Sequence, residues 1–128
     1  MTITSIESGR NVLTDEAHTV LVTVVGASGS LAALAEQLPA HWRAQSADLE
    51  DIDHTDLLVI GGANGGRIRA AVRQHPGTPV VGVVDTYATA DQVVEVLEAG
   101  ADACVRSGLP TLVSSHLRAC YRRRALAA

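Results

Sequence analysis

Four bursts of apolar residues without polar alternation constrain the fold of this chain more than any other feature. Residues 19–25 read Thr-Val-Leu-Val-Thr-Val-Val, 57–60 Leu-Leu-Val-Ile, 79–84 Pro-Val-Val-Gly-Val-Val and 103–105 Ala-Cys-Val. A strand that carries apolar side chains on both faces must be covered on both faces, which is the condition of a parallel sheet held between helices. A fifth and more polar strand is expected near Arg43–Ser46, where its character suits a sheet edge.

Between the bursts the spacing becomes helical. Ser30 to Leu38 places Leu31, Leu34, Ala35 and Leu38 on one face, with Ser28 or Ser30 as N-cap. Gly66 to Gln74 turns Ile68, Ala71 and Val72 inward and Arg67, Arg69 and Arg73 outward, and Pro76-Gly77 ends it. Ala90 to Ala99 is expected to bury Val93, Val94 and Leu97, with Gly100 at the C′ position. Pro110 opens a last helix toward Ala125. Between Ser46 and Asp56 there is room only for a short helix or turn. The expected architecture is a three-layer α/β/α sandwich, (βα)5, with its second helix clipped. Residues 1–18 read as an N-terminal extension and 19–128 as one domain, as befits a chain of 128 residues.

Composition narrows the function classes. With 47% hydrophobic and 19% charged residues the chain reads as a soluble globular protein. A net charge of −4 and the lack of a basic, aromatic-rich stripe argue against direct nucleic-acid binding. The longest apolar run is too short to cross a bilayer, and no secretory signal is visible, so cytoplasmic residence is expected. Cys104 and Cys120 form neither a disulfide framework nor a metal-type spacing. All ten basic residues are Arg; with no Lys, every mechanism that needs a lysine ammonium is excluded.

The order of elements and three strings, Thr-Asp-Leu-Leu-Val-Ile at 55–60, Thr-Pro-Val-Val at 78–81 and Leu-Glu-Ala-Gly-Ala-Asp-Ala-Cys-Val-Arg at 97–106, resemble the receiver domain of two-component response regulators. The resemblance spans roughly residues 19–125. It implies a flavodoxin-like five-stranded parallel sheet of order 2-1-3-4-5. It also implies a phosphorylation pocket: an acidic pair after strand 1 for Mg²⁺, an Asp after strand 3, a Thr or Ser after strand 4 and a Lys-Pro after strand 5.

Each of those positions is changed. Strand 1 ends at Val25-Gly26, the acceptor position is Gly61, strand 4 ends at Val84, and the Lys-Pro position is Ser107-Gly108. Glycine offers no oxygen nucleophile, and a hard cation finds too few oxygen ligands. Asp85, one residue beyond Val84, is a single displaced carboxylate. The chain thus resembles a degenerate receiver, non-enzymatic, with no cofactor or metal expected.

Two glycine loops stand where the chemistry was lost, Gly26-Ala27-Ser28-Gly29-Ser30 and Gly61-Gly62-Ala63-Asn64-Gly65-Gly66. Both would line the crevice at the topological switch point, each before a helix N-terminus. They therefore read either as compact turns or as a site for an anionic or nucleotide-like ligand, with Gly26, Ser28, Gly29, Ser30, Gly61, Gly62 and Asn64 as its residues. Gly26-x-x-Gly29-x-x-Ala32 also resembles a dinucleotide fingerprint, but the match ends there. His116 and Cys120, four apart on the last helix, with Cys104 would make an incomplete metal corner; a buried Cys and a helix His is the plainer account. The acidic run Asp48, Glu50, Asp51, Asp53 and Asp56 lacks the glycine and terminal Glu of a calcium loop. Arg118, Arg122, Arg123 and Arg124 either complement the C-terminal helix dipole or touch an acidic partner.

The resemblance implies contacts through the family's fourth helix, fifth strand and fifth helix, here about Thr89 to Ala125, with a protein partner or in a homodimer. Tyr87 lies near the position of the family's switch aromatic. Val96, outside the inward set expected for its helix, and Arg106 are the other candidate contact residues. The expected function is a phosphorylation-independent signalling module, directly or through an attached output domain serving transcriptional control; the alternative is a small-ligand sensor built on the glycine loops.

Overall fold

The computed structural model describes residues 19–26 and 30–127, and the N-terminal stretch 1–18 lies outside the described residues. The chain runs β1 (Val20–Val25), α1 (Leu31–Gln37), β2 (Trp42–Ser46), a single 3-10 turn (Leu49–Asp51), β3 (Leu57–Gly61), α2 (Gly65–Gln74), β4 (Val80–Val83), α3 (Ala90–Glu98), β5 (Ala103–Val105) and α4 (Pro110–Ala127). All four strand pairings are parallel, in the order β2-β1-β3-β4-β5. This is the sheet the sequence leads one to expect. The clipped second helix is the 3-10 turn, so the family's fourth helix, fifth strand and fifth helix correspond here to α3, β5 and α4.

Alternation along the strands divides the core in two. Val20, Val22, Val24, Leu57, Val59, Val81, Val83 and Val105 face α1 and α4. Leu58, Ile60 and Val80 face α2 and α3 with Ile68, Ala71 and Val96. The central strand β3 is buried throughout, as a parallel strand between two helical layers must be. On the first face Trp42 and Tyr121 meet edge to face at 5.3 Å between centroids, and the buried Ser114 hydroxyl donates to the Gln37 carbonyl at 2.8 Å. These contacts tie α4 to α1 and the β2 edge.

On the second face, where a full second helix would lie, the 3-10 turn and its flanks cover β1 with Ala47, Leu49 and Ile52. Thr23, fully buried there, donates its hydroxyl to Thr55 Oγ1 at 2.8 Å and accepts from Gln45 Nε2 at 2.9 Å. Thr55 also bonds the Leu57 carbonyl at 2.9 Å. A loop thus replaces a helix, and its hydroxyl satisfies a polar group that an apolar helix would have stranded.

Helix α3 corrects the sequence-based phase. A capping box between Thr89 and Gln92 starts it, and Val96, expected on the exposed side, is 1% exposed, whereas Val94 and Leu97 are 47% and 43% exposed. The cause is Gly82 on β4: a methyl group there would stand 2.9 Å from Val96 Cγ1 and 3.2 Å from Ala63 Cβ. The missing side chain makes the hollow that Val96 fills, and this docking fixes the rotation of the helix.

Two outcomes follow for stability. Val96→Ala is expected to cost about 2 kcal/mol or more in denaturant unfolding, because it empties a closed hollow, while Leu97→Ala costs less than about 1 kcal/mol. Gly82→Ala overpacks the same hollow and is expected to cost about 1–3 kcal/mol.

Candidate functional site

In a parallel sheet all strands deliver their C-terminal ends to one edge, and a crevice opens where the connections diverge, here between β1 and β3. Gly26 and Gly61 meet in that crevice. Gly26 takes a φ of +83°, and a Cβ on it would stand 3.1 Å from the Gly61 carbonyl oxygen. The same Cβ would stand 2.8 Å from Nη2 of Arg67. Two constraints therefore hold this position to glycine, its left-handed backbone and the close approach of the Gly61 carbonyl, since the tip of the arginine could swing aside.

Arg67 is exposed on α2, as its outward position in the sequence pattern leads one to expect. What the pattern does not show is that its guanidinium lies beside Gly26, and with Val25, Ile60, Asp48 and Glu50 it lines a groove of about 380 Å³. Its backbone is set by Asn64, the N-cap of α2, whose side-chain oxygen accepts the Arg67 N–H at 2.9 Å. Asp48 and Glu50 form the opposite wall from the 3-10 turn.

The other positions that the resemblance singles out are engaged in local bonding. Val84 is buried, and its N–H donates to the Val105 carbonyl at 2.8 Å. Asp85 is exposed, and its carboxylate accepts the Tyr87 N–H at 2.8 Å, folding the 85–88 segment into a turn. Ser107 Oγ accepts the Leu109 N–H at 3.1 Å and shapes the approach to α4. Arg106 is exposed.

A divalent cation does not fit this edge. Mg²⁺ requires near-octahedral oxygen coordination through carboxylates and water. Val25, Gly26 and Gly61 supply no carboxylate, Asp48 and Glu50 across the groove are only two, and a guanidinium stands beside the strand ends. The oxygens expected to serve a ligand are engaged as caps: Ser30 Oγ accepts the Ala33 N–H at 3.1 Å, and Asn64 accepts Arg67. Ser28 and Gly29 lie outside the described residues. The metal corner at the far side also fails. Cys104 packs on the α2–α3 face of the sheet and Cys120 on the α1–α4 face, so the two sulfurs lie on opposite sides of it. Among the described residues no three His, Cys, Asp or Glu side chains cluster as a metal site.

Burial pushes both thiols above the ordinary cysteine range; Arg106 opposes this at Cys104, and Arg123 opposes it at Cys120.

No protein-family model and no curated protein matches the chain. Solved structures do. A CheY-like receiver domain from Methanospirillum hungatei matches with a TM-score of 0.68 at 15% identity, over 87% of this chain and all of that one. The BeF3-activated receiver domain of DrrB, a Thermotoga maritima response regulator, gives 0.67 at 18% identity, over 83% of this chain and all of its own. An atypical orphan response regulator, described as showing a phosphorylation-independent regulatory mechanism, gives 0.63 at 19% identity, over 80% of this chain and 96% of that one. The chain therefore has the receiver fold, flavodoxin-like with strand order 2-1-3-4-5. No helix among the described residues is long and apolar enough to cross a membrane.

With their pKa values raised, both cysteines are protonated at neutral pH, where the thiolate is the reacting form. Alkylation of the native protein at pH 7 is expected to be slower than that of a free thiol, to speed up as the pH rises, and to become rapid on unfolding. Intact-mass kinetics check this.

Proposed function

We propose that this protein is a signalling module that works through protein–protein contact and takes no phosphoryl group. The observation that carries the reading is the crevice itself. The places of the acceptor and its acidic pair hold Gly61, Val25 and Gly26, and the Arg67 guanidinium fills space beside them. An acyl phosphate needs a carboxylate nucleophile and charge-neutralising cations arranged around it; Asp85 is displaced from the crevice and bonded into a turn. One of the structures sharing this fold is itself described as phosphorylation-independent.

The contact surface proposed is the side of the domain formed by α3, β5 and the start of α4. Its exposed apolar residues are Val94 and Leu97 on α3, Leu109 before α4 and Leu112 on it, with Tyr87, 91% exposed, in the turn that leads to α3. Val94 and Leu97 take the place that the sequence had assigned to Val96. Val94 also borders the groove toward Arg69 of α2; exposed apolar side chains of this number on a small domain support an interaction surface. Either a second copy or a different protein fits it.

The ligand-sensor alternative has less support, because the Ser30 and Asn64 oxygens that would hold an anion at the glycine loops already cap their own helices.

Incubation with acetyl phosphate and Mg²⁺ is expected to leave the intact mass unchanged; a covalent phosphoryl adduct on any residue of the crevice would overturn the reading. Sedimentation velocity over a wide concentration range is expected to show reversible self-association that Leu97→Asp abolishes with the fold intact. A wild-type monomer at every concentration removes the homodimer and leaves the heteromeric contact to be sought with Tyr87→Ala and Leu97→Asp as controls.

A further inference from the structure

The opposite edge of the sheet, where the N-terminal ends of β4 and β5 emerge, carries a second cavity, of about 410 Å³. Its walls come from three places: His75 to Pro79 between α2 and β4, Gly100 and Asp102 before β5, and Cys120, Arg123 and Arg124 on α4. Part of the rim has no side chain at all, since a Cβ on Gly77 would meet nothing within 4 Å.

The arginines are the informative groups. Helix C-termini carry partial negative charge, and arginines near one commonly bond its last carbonyls. Here they do not. Arg123 Nη2 donates to Cys120 Sγ at 3.2 Å, back in the preceding turn, and Arg124 Nη1 donates across to the Asp56 carbonyl at 3.1 Å. Among the described residues each guanidinium is thus bonded to one neutral acceptor, a thiol sulfur or a carbonyl. The carboxylate in the cavity wall, Asp102, has one oxygen bonded to the Val80 N–H at 2.8 Å. Asp56 likewise directs a carboxylate oxygen to the Leu21 N–H at 2.8 Å. Among the described residues neither arginine has a carboxylate within 4.0 Å, the one close ion pair being His54–Asp56.

Two arginines on a cavity also lined by His75 and Thr78 suit an oxyanion, because the guanidinium fork matches a phosphate or carboxylate with two parallel hydrogen bonds. We infer that this cavity binds a small organic oxyanion, a phosphate monoester or a polycarboxylate, through Arg123 and Arg124. A volume of about 410 Å³ lies within the range of small-molecule sites and exceeds what a bare ion needs. The site is separate from the crevice at Gly26 and Gly61, and it stands or falls independently of the function proposed above.

The test is an amide-resolved NMR titration of the full chain with inorganic phosphate, AMP and citrate, each at constant ionic strength against chloride. Saturable shifts are expected at Thr78, Gly100, Asp102 and Arg123, and not at Gly61, Gly62 or Gly66. AMP exceeding inorganic phosphate identifies the phosphate monoester, and citrate exceeding both identifies the polycarboxylate. The double variant Arg123→Gln/Arg124→Gln is expected to weaken binding at least tenfold while its amide spectrum stays dispersed. Arg118→Gln, exposed on the same helix and outside the cavity, is expected to bind as the wild type does. If the double variant loses its fold, His75→Gln with Thr78→Val replaces it, with a threefold or greater weakening expected. Non-saturating shifts equal to those of chloride, shifts centred on the glycine loops, or equal weakening by Arg118→Gln would each overturn the inference.

Discussion

Strand β3 is enclosed by side chains on both faces along its full length, and the rest of the architecture answers that requirement. A strand so placed needs a helical layer above and below, and hence crossover connections and parallel neighbours. Parallel strands in turn bring all their C-terminal ends to one edge and all their N-terminal ends to the other. Cavities lie at both of those edges, one between Gly26 and the 3-10 turn, the other between the α2–β4 loop and α4.

What the first crevice can do depends on which side chains stand at the strand ends. Aliphatics and glycines there leave no nucleophile and no cation ligand, and the room they free is entered by Arg67. A fixed positive charge on α2 is covalently part of the chain and does not come and go with phosphate or metal. The doubly covered sheet holds the surrounding helices in place, and the proposal of a contact function rests on the lack of a nucleophile at these strand ends.

Surface character follows the same division of labour. Once Val96 is drawn into the hollow over Gly82, the other side of α3 must carry Val94 and Leu97 outward, so the exposed apolar residues beside β5 result from how the helix docks. At the far edge, Arg123 and Arg124 bond a thiol and a neighbouring loop rather than the end of their own helix. They are thereby oriented toward a cavity and not toward their own carbonyls.

The sequence by itself determined the strands and their parallel arrangement, while the sheet order came only with the resemblance to receiver domains. Unbroken apolar runs admit only a doubly covered parallel sheet, and the absence of a carboxylate at Gly61 or of any lysine is a fact of composition that no folding can repair. Tertiary structure alone decided the phase of α3 and the position of Arg67. Four apolar residues, Val93, Val94, Val96 and Leu97, span more than half of that helix, so its hydrophobic pattern allows more than one inward stripe, and only the side chain missing at Gly82 selects among them. Arg67 stays on the solvent face of α2 as its periodicity requires; that its guanidinium ends beside Gly26, distant in sequence, is a juxtaposition no local pattern records.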